Sequence, residues 1–159
     1  MLKVTPEQGQ INLEVREFPL RIGYIDKMIA DCAFPILDLT LNSTFLTATE
    51  CLVLAGNTRV KSLRTLDLSC NPITAVGLLN LVHPRRSNFD QLSHLVLFNC
   101  EIDYTQAYLI SNDNLEECKC VFQLKSLNLS HNNLAFFINY ISELDLINHA
   151  LEKLQLVAC

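Results

Sequence analysis

Residues 63–73 read LRTLDLSCNPI, and the same spacing of leucines recurs three more times along the chain. Residues 92–102 read LSHLVLFNCEI, residues 124–134 read LKSLNLSHNNL, and residues 151–159 read LEKLQLVAC. Each segment has the form LxxLxLxxN or LxxLxLxxC, whose positions we number as places one to nine. The alternation around places four to six predicts a short β-strand with one buried face.

Two weaker copies precede these four segments. Residues 34–42, FPILDLTLN, fit the motif with Phe34 at place one. Residues 8–16, QGQINLEVR, carry only Ile11 and Leu13. We therefore expect a capping segment with a weak first repeat over residues 1–33 and full repeats over residues 34–159. The predicted repeats start near residues 34, 63, 92, 124 and 151.

The residues after place nine change to a helical period. In the repeat from residue 63, the apolar residues that follow Asn71 suit a helix packed on the strand layer. Comparable helices are predicted over 46–54, 103–111 and 135–147. A single unit cannot bury its own apolar face, so neighbouring units must stack. We therefore expect a short arc of the α/β class, with parallel strands on the concave side and helices on the convex side.

The repeated motif resembles the leucine-rich repeat family, and within it the ribonuclease-inhibitor-like class of intracellular proteins. That class continues after place nine as N-x-L-x-x-x-G-x-x-x-L. The repeat from residue 63 matches it at Asn71, Ile73, Gly77 and Leu81. The repeat from residue 34 matches it at Asn42, Ala48 and Leu52, with Ala in the Gly position. The resemblance implies a leucine-rich repeat solenoid that binds another protein, with the place-nine Asn42 buried as a turn residue.

The composition restricts the class of protein. The chain has 159 residues, of which 50% are hydrophobic and 18% charged, so it can bury one sizeable core and is too apolar to be disordered. A net charge of −5 argues against nucleic acid as a partner. No run of apolar residues is long enough for membrane insertion. The first residues, MLKVTPEQGQ, lack the pattern of a signal peptide, so we expect an intracellular, cytoplasmic protein.

The seven cysteines are an odd number in a chain without a secretory signal, which predicts reduced thiols rather than disulfides. Most should be small core residues. Cys118 and Cys120 form a C-x-C pair in the acidic segment 111–123, where a metal site or a redox switch is one interpretation. A second pair of ligands is missing, so we favour a solvated insertion and expect no metal and no cofactor.

Candidate binding residues come from the places that face the concave surface. At its centre Val96 and Phe98 are apolar neighbours on a polar face, which is typical of an interface anchor. The alternative is that Phe98 only covers the adjacent strands. A metal between His94 and His131 is less favoured than two surface histidines. The predicted partner-binding residues are Asp38, Asp67, His94, Val96, Phe98, Asn128 and His131.

No catalytic motif is present, and the paired carboxylates Glu116 with Glu117 and Glu143 with Asp145 lack a partner that would separate their pKa values. We therefore expect a non-enzymatic scaffold that binds a protein through the concave strand face. The alternative is a structural subunit held permanently in a larger assembly. In that case it would dock through the end of the solenoid at Cys159, which no polar cap covers in this sequence.

Overall fold

The computed structural model describes residues 2–7, 10–83, 87–103, 124–134 and 150–159. Three helices are described: α1 (Ile22–Ala30), α2 (Ala48–Gly56) and α3 (Thr74–Val82), with a short 3-10 helix at Thr58–Val60. In this part of the chain, no helix combines the length and the apolar character that a membrane span requires.

The described strands form one open sheet in chain order. Their bounds are β1 (Leu2–Glu7), β2 (Gln10–Arg16), β3 (Ile36–Asn42), β4 (Thr65–Asp67), β5 (His94–Val96), β6 (Ser126–Asn128) and β7 (Lys153–Gln155). β1 is antiparallel to β2, and every pair from β2 to β7 is parallel. Parallel neighbours in chain order require a crossover after each strand, as a solenoid provides. The predicted α/β solenoid with stacked strands is confirmed.

The leucines of the motif form a continuous core between the sheet and the helices. Leu66, Leu95 and Leu127 are direct neighbours across β4, β5 and β6, and each is fully buried. Leu68, Leu97 and Leu129 at place six are fully buried as well. Since these residues alternate with partly exposed ones, each strand has one face toward the core and one toward solvent.

The N-terminal part contains three elements around the weak first copy of the motif. Strand β2 covers that copy, α1 follows it, and a further strand precedes both. The additional element is β1, which pairs with β2 along its whole length from Leu2 beside Val15 to Glu7 beside Gln10. It occupies the sheet edge that β2 would otherwise expose, and unpaired strand edges are sites of unwanted association.

The alignment of the 34–42 segment was wrong by two residues. Leu39 lies beside Leu66, so it occupies place four, and Thr44 rather than Asn42 occupies place nine. Thr44 is fully buried, whereas Asn42 is half-buried at the end of β3. Between Leu37 and Leu41 the shift preserves the side of the strand that each residue faces, because two residues equal one period of a strand. The leucine spacing alone therefore could not reveal it.

The same shift corrects the helix that follows β3. Leu46 and Leu54 are buried in the core, while Leu52, which the alignment placed there, is 38% exposed. The helices predicted over 46–54 and after Asn71 are α2 and α3. The helices predicted over 103–111 and 135–147 lie outside the described residues, apart from Asp103.

α2 and α3 approach closely at Gly77. A Cβ atom on Gly77 would lie 2.4 Å from Cγ2 of Ile73 and 3.2 Å from Cα of Ala48. These distances are shorter than the separation of about 3.5 Å at which carbon atoms attract each other. The absence of a side chain at Gly77 therefore sets the spacing of the two helices.

Candidate functional site: the strand face

Side chains at places three, five and seven point away from the helices, and we call the surface that they form the strand face. It corresponds to the predicted concave surface. Its place-three row consists of Asn12, Asp38, Thr65, His94, Ser126 and Lys153. Its place-five row consists of Glu14, Thr40, Asp67, Val96, Asn128 and Gln155. His94 and Lys153 are exposed and the others are half-buried, so both rows are open to a partner.

The register brings three of the predicted residues directly together. Asp67, Val96 and Asn128 are neighbours across β4, β5 and β6 in the place-five row. His94 lies on β5 in the adjacent place-three row. Val96 therefore has an acidic side chain on one side and an amide on the other.

Asp38 is not where the alignment had placed it. The corrected register puts Asp38 in the place-three row beside Thr65, two strands away from His94. Thr40 takes its position next to Asp67, and Glu14 lies beside Thr40. The alignment missed Thr40 as a member of this row. The signal in the sequence was Ile36, because an aliphatic residue resembles the Leu of place one more than Phe34 does, and the structure leaves Phe34 47% exposed.

Phe98 and His131 form an aromatic pair across neighbouring repeats. Their ring centroids are 4.7 Å apart and their planes are inclined by 53°. Phe98 is half-buried, and His131 is exposed at place eight. A tilted arrangement at this distance is a favourable geometry for two aromatic rings. Phe98 is thus packed against its neighbour and still partly accessible.

The backbone explains why His131 can reach Phe98. Place eight has a left-handed backbone in every described repeat, with φ between 52° and 62°. The residues are Glu17, Ser43, Cys70, Asn99, His131 and Ala158. Because residues of different chemistry share this conformation, it belongs to the turn that ends each strand. Asn and His adopt it more readily than most other residues.

Two polar side chains of the strand face are held by their own turns. Oδ1 of Asp67 accepts hydrogen bonds from the backbone N–H of Ser69, at 2.9 Å, and from its hydroxyl. Oδ1 of Asn128 accepts one from the backbone N–H of Ser130 at 3.0 Å. Each side chain is thereby oriented before a partner arrives, which lowers the entropy cost of binding.

The charges of the strand face are unevenly distributed. The guanidinium of Arg16 donates to the carboxylate of Glu14, which lowers the pKa of Glu14. The two charges of this pair neutralise each other, so the acidic character of the face comes from Asp38 and Asp67. His94 lies beyond them, with its Nδ1 2.8 Å from the hydroxyl of Ser93.

Beneath the strand face, the place-nine residues hold successive repeats together. Nδ2 of Asn132 donates to the carbonyl oxygens of Leu97 and Leu129, and its Oδ1 accepts from the N–H of Cys100 at 2.9 Å. At the same place, Sγ of Cys100 donates to the carbonyl oxygen of Leu68 at 3.2 Å. Cys thus retains the bond to the preceding repeat, with a weaker donor than an amide.

Other candidates from the sequence lie outside the described residues. These are the C-x-C pair Cys118 and Cys120 and the whole 111–123 segment around it. In the part of the chain that the structure describes, no three His, Cys, Asp or Glu residues are grouped so that they could hold a metal.

Comparison with known proteins agrees with the fold. The family model described as Leucine Rich repeat matches residues 61–82 and 123–135. The two matches support leucine-rich repeats in these stretches, and the parallel sheet with alternating helices is consistent with a leucine-rich repeat solenoid. Such repeats generally mediate contacts between proteins and are generally not enzymes. A search of curated proteins finds none that matches the chain.

Proposed function

We propose that this protein is a non-enzymatic binding module of the ribonuclease-inhibitor-like class that engages a protein partner through the strand face. The observation that carries the proposal is the Phe98–His131 pair, an accessible aromatic group on a mostly polar surface. Aromatic side chains near the centre of a polar surface commonly supply most of the binding energy of an interface.

The surroundings of the pair support an interface at this position. Val96 lies on the same strand, and Asp67 and Asn128 flank it in the place-five row. An apolar centre with a polar rim is the usual anatomy of a protein–protein interface. We include Asp38, His94 and His131 in the rim. The acidic side of this rim suits a partner that carries a basic group, rather than nucleic acid.

Capture of the partner tests the assignment. The tagged chain is used to enrich partners from its source cell, and the enriched protein is then titrated against purified variants. Phe98→Ala combined with Val96→Ser should weaken binding at least about tenfold, because hot-spot truncations cost about 1.4 kcal/mol or more. Phe45→Ala is the matched control, since Phe45 is 67% exposed but precedes α2 instead of lying on a strand. Equal binding by the double variant and the parent would refute the strand-face assignment.

A second candidate function rests on the outer side of β7. Leu154 and Leu156 are 37% and 38% exposed, whereas their neighbours Leu127 and Leu129 are fully buried. We propose as the alternative that this apolar surface docks the protein permanently into a larger assembly. Light-scattering mass of the purified chain separates the two proposals, because a monomer that stays folded at all concentrations argues for the binding module.

A further inference from the structure

A small cavity lies at the edge of the sheet where β3 and β4 begin, away from the Phe98–His131 pair. Its volume is about 250 Å³. It is formed by the segment that enters β3 and by the segment that joins the 3-10 helix to β4. The residues that define its character are Phe34, Ile36, Thr58, Arg59, Lys61 and Ser62.

The lining of this cavity has one sign of charge. Arg59 and Lys61 are both exposed and carry positive charge, and no carboxylate is among the described residues that line it. Asp31 and Asp38, which lie near the lining residues in the sequence, do not contribute to the lining. The hydroxyls of Thr58 and Ser62 add further donors for an anionic oxygen.

The cavity also has an apolar wall. Phe34 is 47% exposed, and Ile36 behind it is fully buried in the core. A large aromatic ring that remains half open to water gains free energy when a ligand covers it. The ligand that fits both walls is therefore an anionic group attached to an apolar one.

Hydrogen bonds from Arg59 and Asn57 hold the segment that carries Phe34 in place. The guanidinium of Arg59 donates to the carbonyl oxygen of Cys32, two residues before Phe34. Oδ1 of Asn57 accepts from the N–H of Arg59 at 2.9 Å, and Nδ2 of Asn57 donates to Oδ1 of Asp26 at 3.1 Å. These contacts connect α1 to the 3-10 helix, so the cavity is preformed.

We propose that this cavity binds an acidic side chain of a partner protein that is followed by an apolar residue. The volume is slightly below the range of about 300–1,000 Å³ that is typical of small-molecule sites, and it suits one or two side chains. Lys61 and Arg59 pair with the carboxylate, and the following apolar side chain covers Phe34. The proposal does not depend on the function assigned to the strand face.

The test uses a blocked peptide, acetyl-Gly-Glu-Phe-Gly-amide, whose only charge is the Glu carboxylate. Titration into the isotope-labelled protein should shift the backbone amide signals of Phe34, Lys61 and Ser62 in a saturable manner. The same peptide with Gln in place of Glu should bind at least about threefold more weakly, since an exposed ion pair contributes up to about 1 kcal/mol.

Variants then assign the contacts. Lys61→Ala should weaken the Glu peptide at least about threefold and leave the Gln peptide unchanged. Phe34→Ala should weaken both peptides. Lys153→Ala is the matched control, because Lys153 is an exposed lysine on β7, four strands away from β3, and should bind like the parent. Phe98→Ala should also bind like the parent, which separates this cavity from the strand face.

Three results would overturn the proposal. The first is equal affinity for the Glu and Gln peptides. The second is an equal loss of binding in Lys61→Ala and Lys153→Ala, which would mean that only the overall charge matters. The third is the absence of saturable shifts at these amides up to roughly 10 mM peptide, since a weaker site would have less than about 3 kcal/mol of binding free energy.

Discussion

Asn71 reaches back across one repeat to Thr44, where its Oδ1 accepts a hydrogen bond from the backbone N–H at 2.8 Å. The same oxygen accepts from the N–H of Leu46 at 3.1 Å, and Nδ2 donates to the carbonyl oxygens of Leu41 and Leu68. One buried side chain therefore bonds backbone groups that belong to two repeats. Without it the N–H groups of Thr44 and Leu46 would be buried with no partner, at a cost of about 1–3 kcal/mol each.

We predict that Asn71→Ala lowers the free energy of unfolding by about 3 kcal/mol, because these backbone groups lose their partner together. Urea denaturation followed by circular dichroism measures the loss. Asn133→Ala is the control. Asn133 is an exposed Asn directly after the place-nine residue Asn132, and its replacement should change stability by less than about 0.5 kcal/mol. Similar losses in the two variants would contradict the role of Asn71.

The register of β3 leads to a second prediction. Leu54→Ala should cost about 2–5 kcal/mol, because Leu54 is fully buried and its truncation leaves a cavity. Leu52→Ala should cost less than about 1 kcal/mol, since Leu52 is 38% exposed. If Asn42 ended the motif instead, Leu52 would be the buried residue, and Leu52→Ala would be the more destabilising of the two variants. Denaturation midpoints of the two variants, measured side by side, decide between them.

The close approach of α2 and α3 leads to a third prediction. Gly77→Ala should destabilise the protein by about 1–3 kcal/mol, because the new Cβ would lie 2.4 Å from Ile73 and 3.2 Å from the backbone of Ala48. Gly23→Ala in α1 is a matched control. A Cβ at Gly23 meets nothing within 4 Å, so the higher helix propensity of Ala should stabilise this variant by up to about 1 kcal/mol. The midpoint temperature of thermal unfolding should therefore fall in Gly77→Ala and rise in Gly23→Ala.

Burial raises the pKa of the Cys100 thiol from 9.0 to about 12. Between these values the unfolded chain loses this proton while the folded chain keeps it, so the unfolded state is favoured as the pH rises. We predict that the parent loses stability, relative to Cys100→Ala, by on the order of 1 kcal/mol per pH unit above pH 9. Below pH 9 the difference between the two proteins should be constant. Urea denaturation at several pH values measures it, and a constant difference up to pH 11 would contradict the burial of this thiol.

The leucine spacing and the place-nine Asn and Cys residues predicted the class of fold without any tertiary information. They could do so because a strand and a helix bury residues at different periods, and a unit that repeats both must stack. The same reasoning placed Asp67, Val96, Phe98 and Asn128 on the strand face, because outward places are simply those that alternate with the leucines.

Only the tertiary structure decided the register of β3, the pairing of β1, and the contact between Phe98 and His131. A shift of two residues leaves the buried and exposed faces of a strand unchanged, so the pattern of Ile36, Leu39 and Leu41 is compatible with more than one alignment. The position of Leu39 beside Leu66 resolves it. The aromatic pair depends on a left-handed backbone at place eight and on the neighbouring repeat, and neither property is local to the residues themselves.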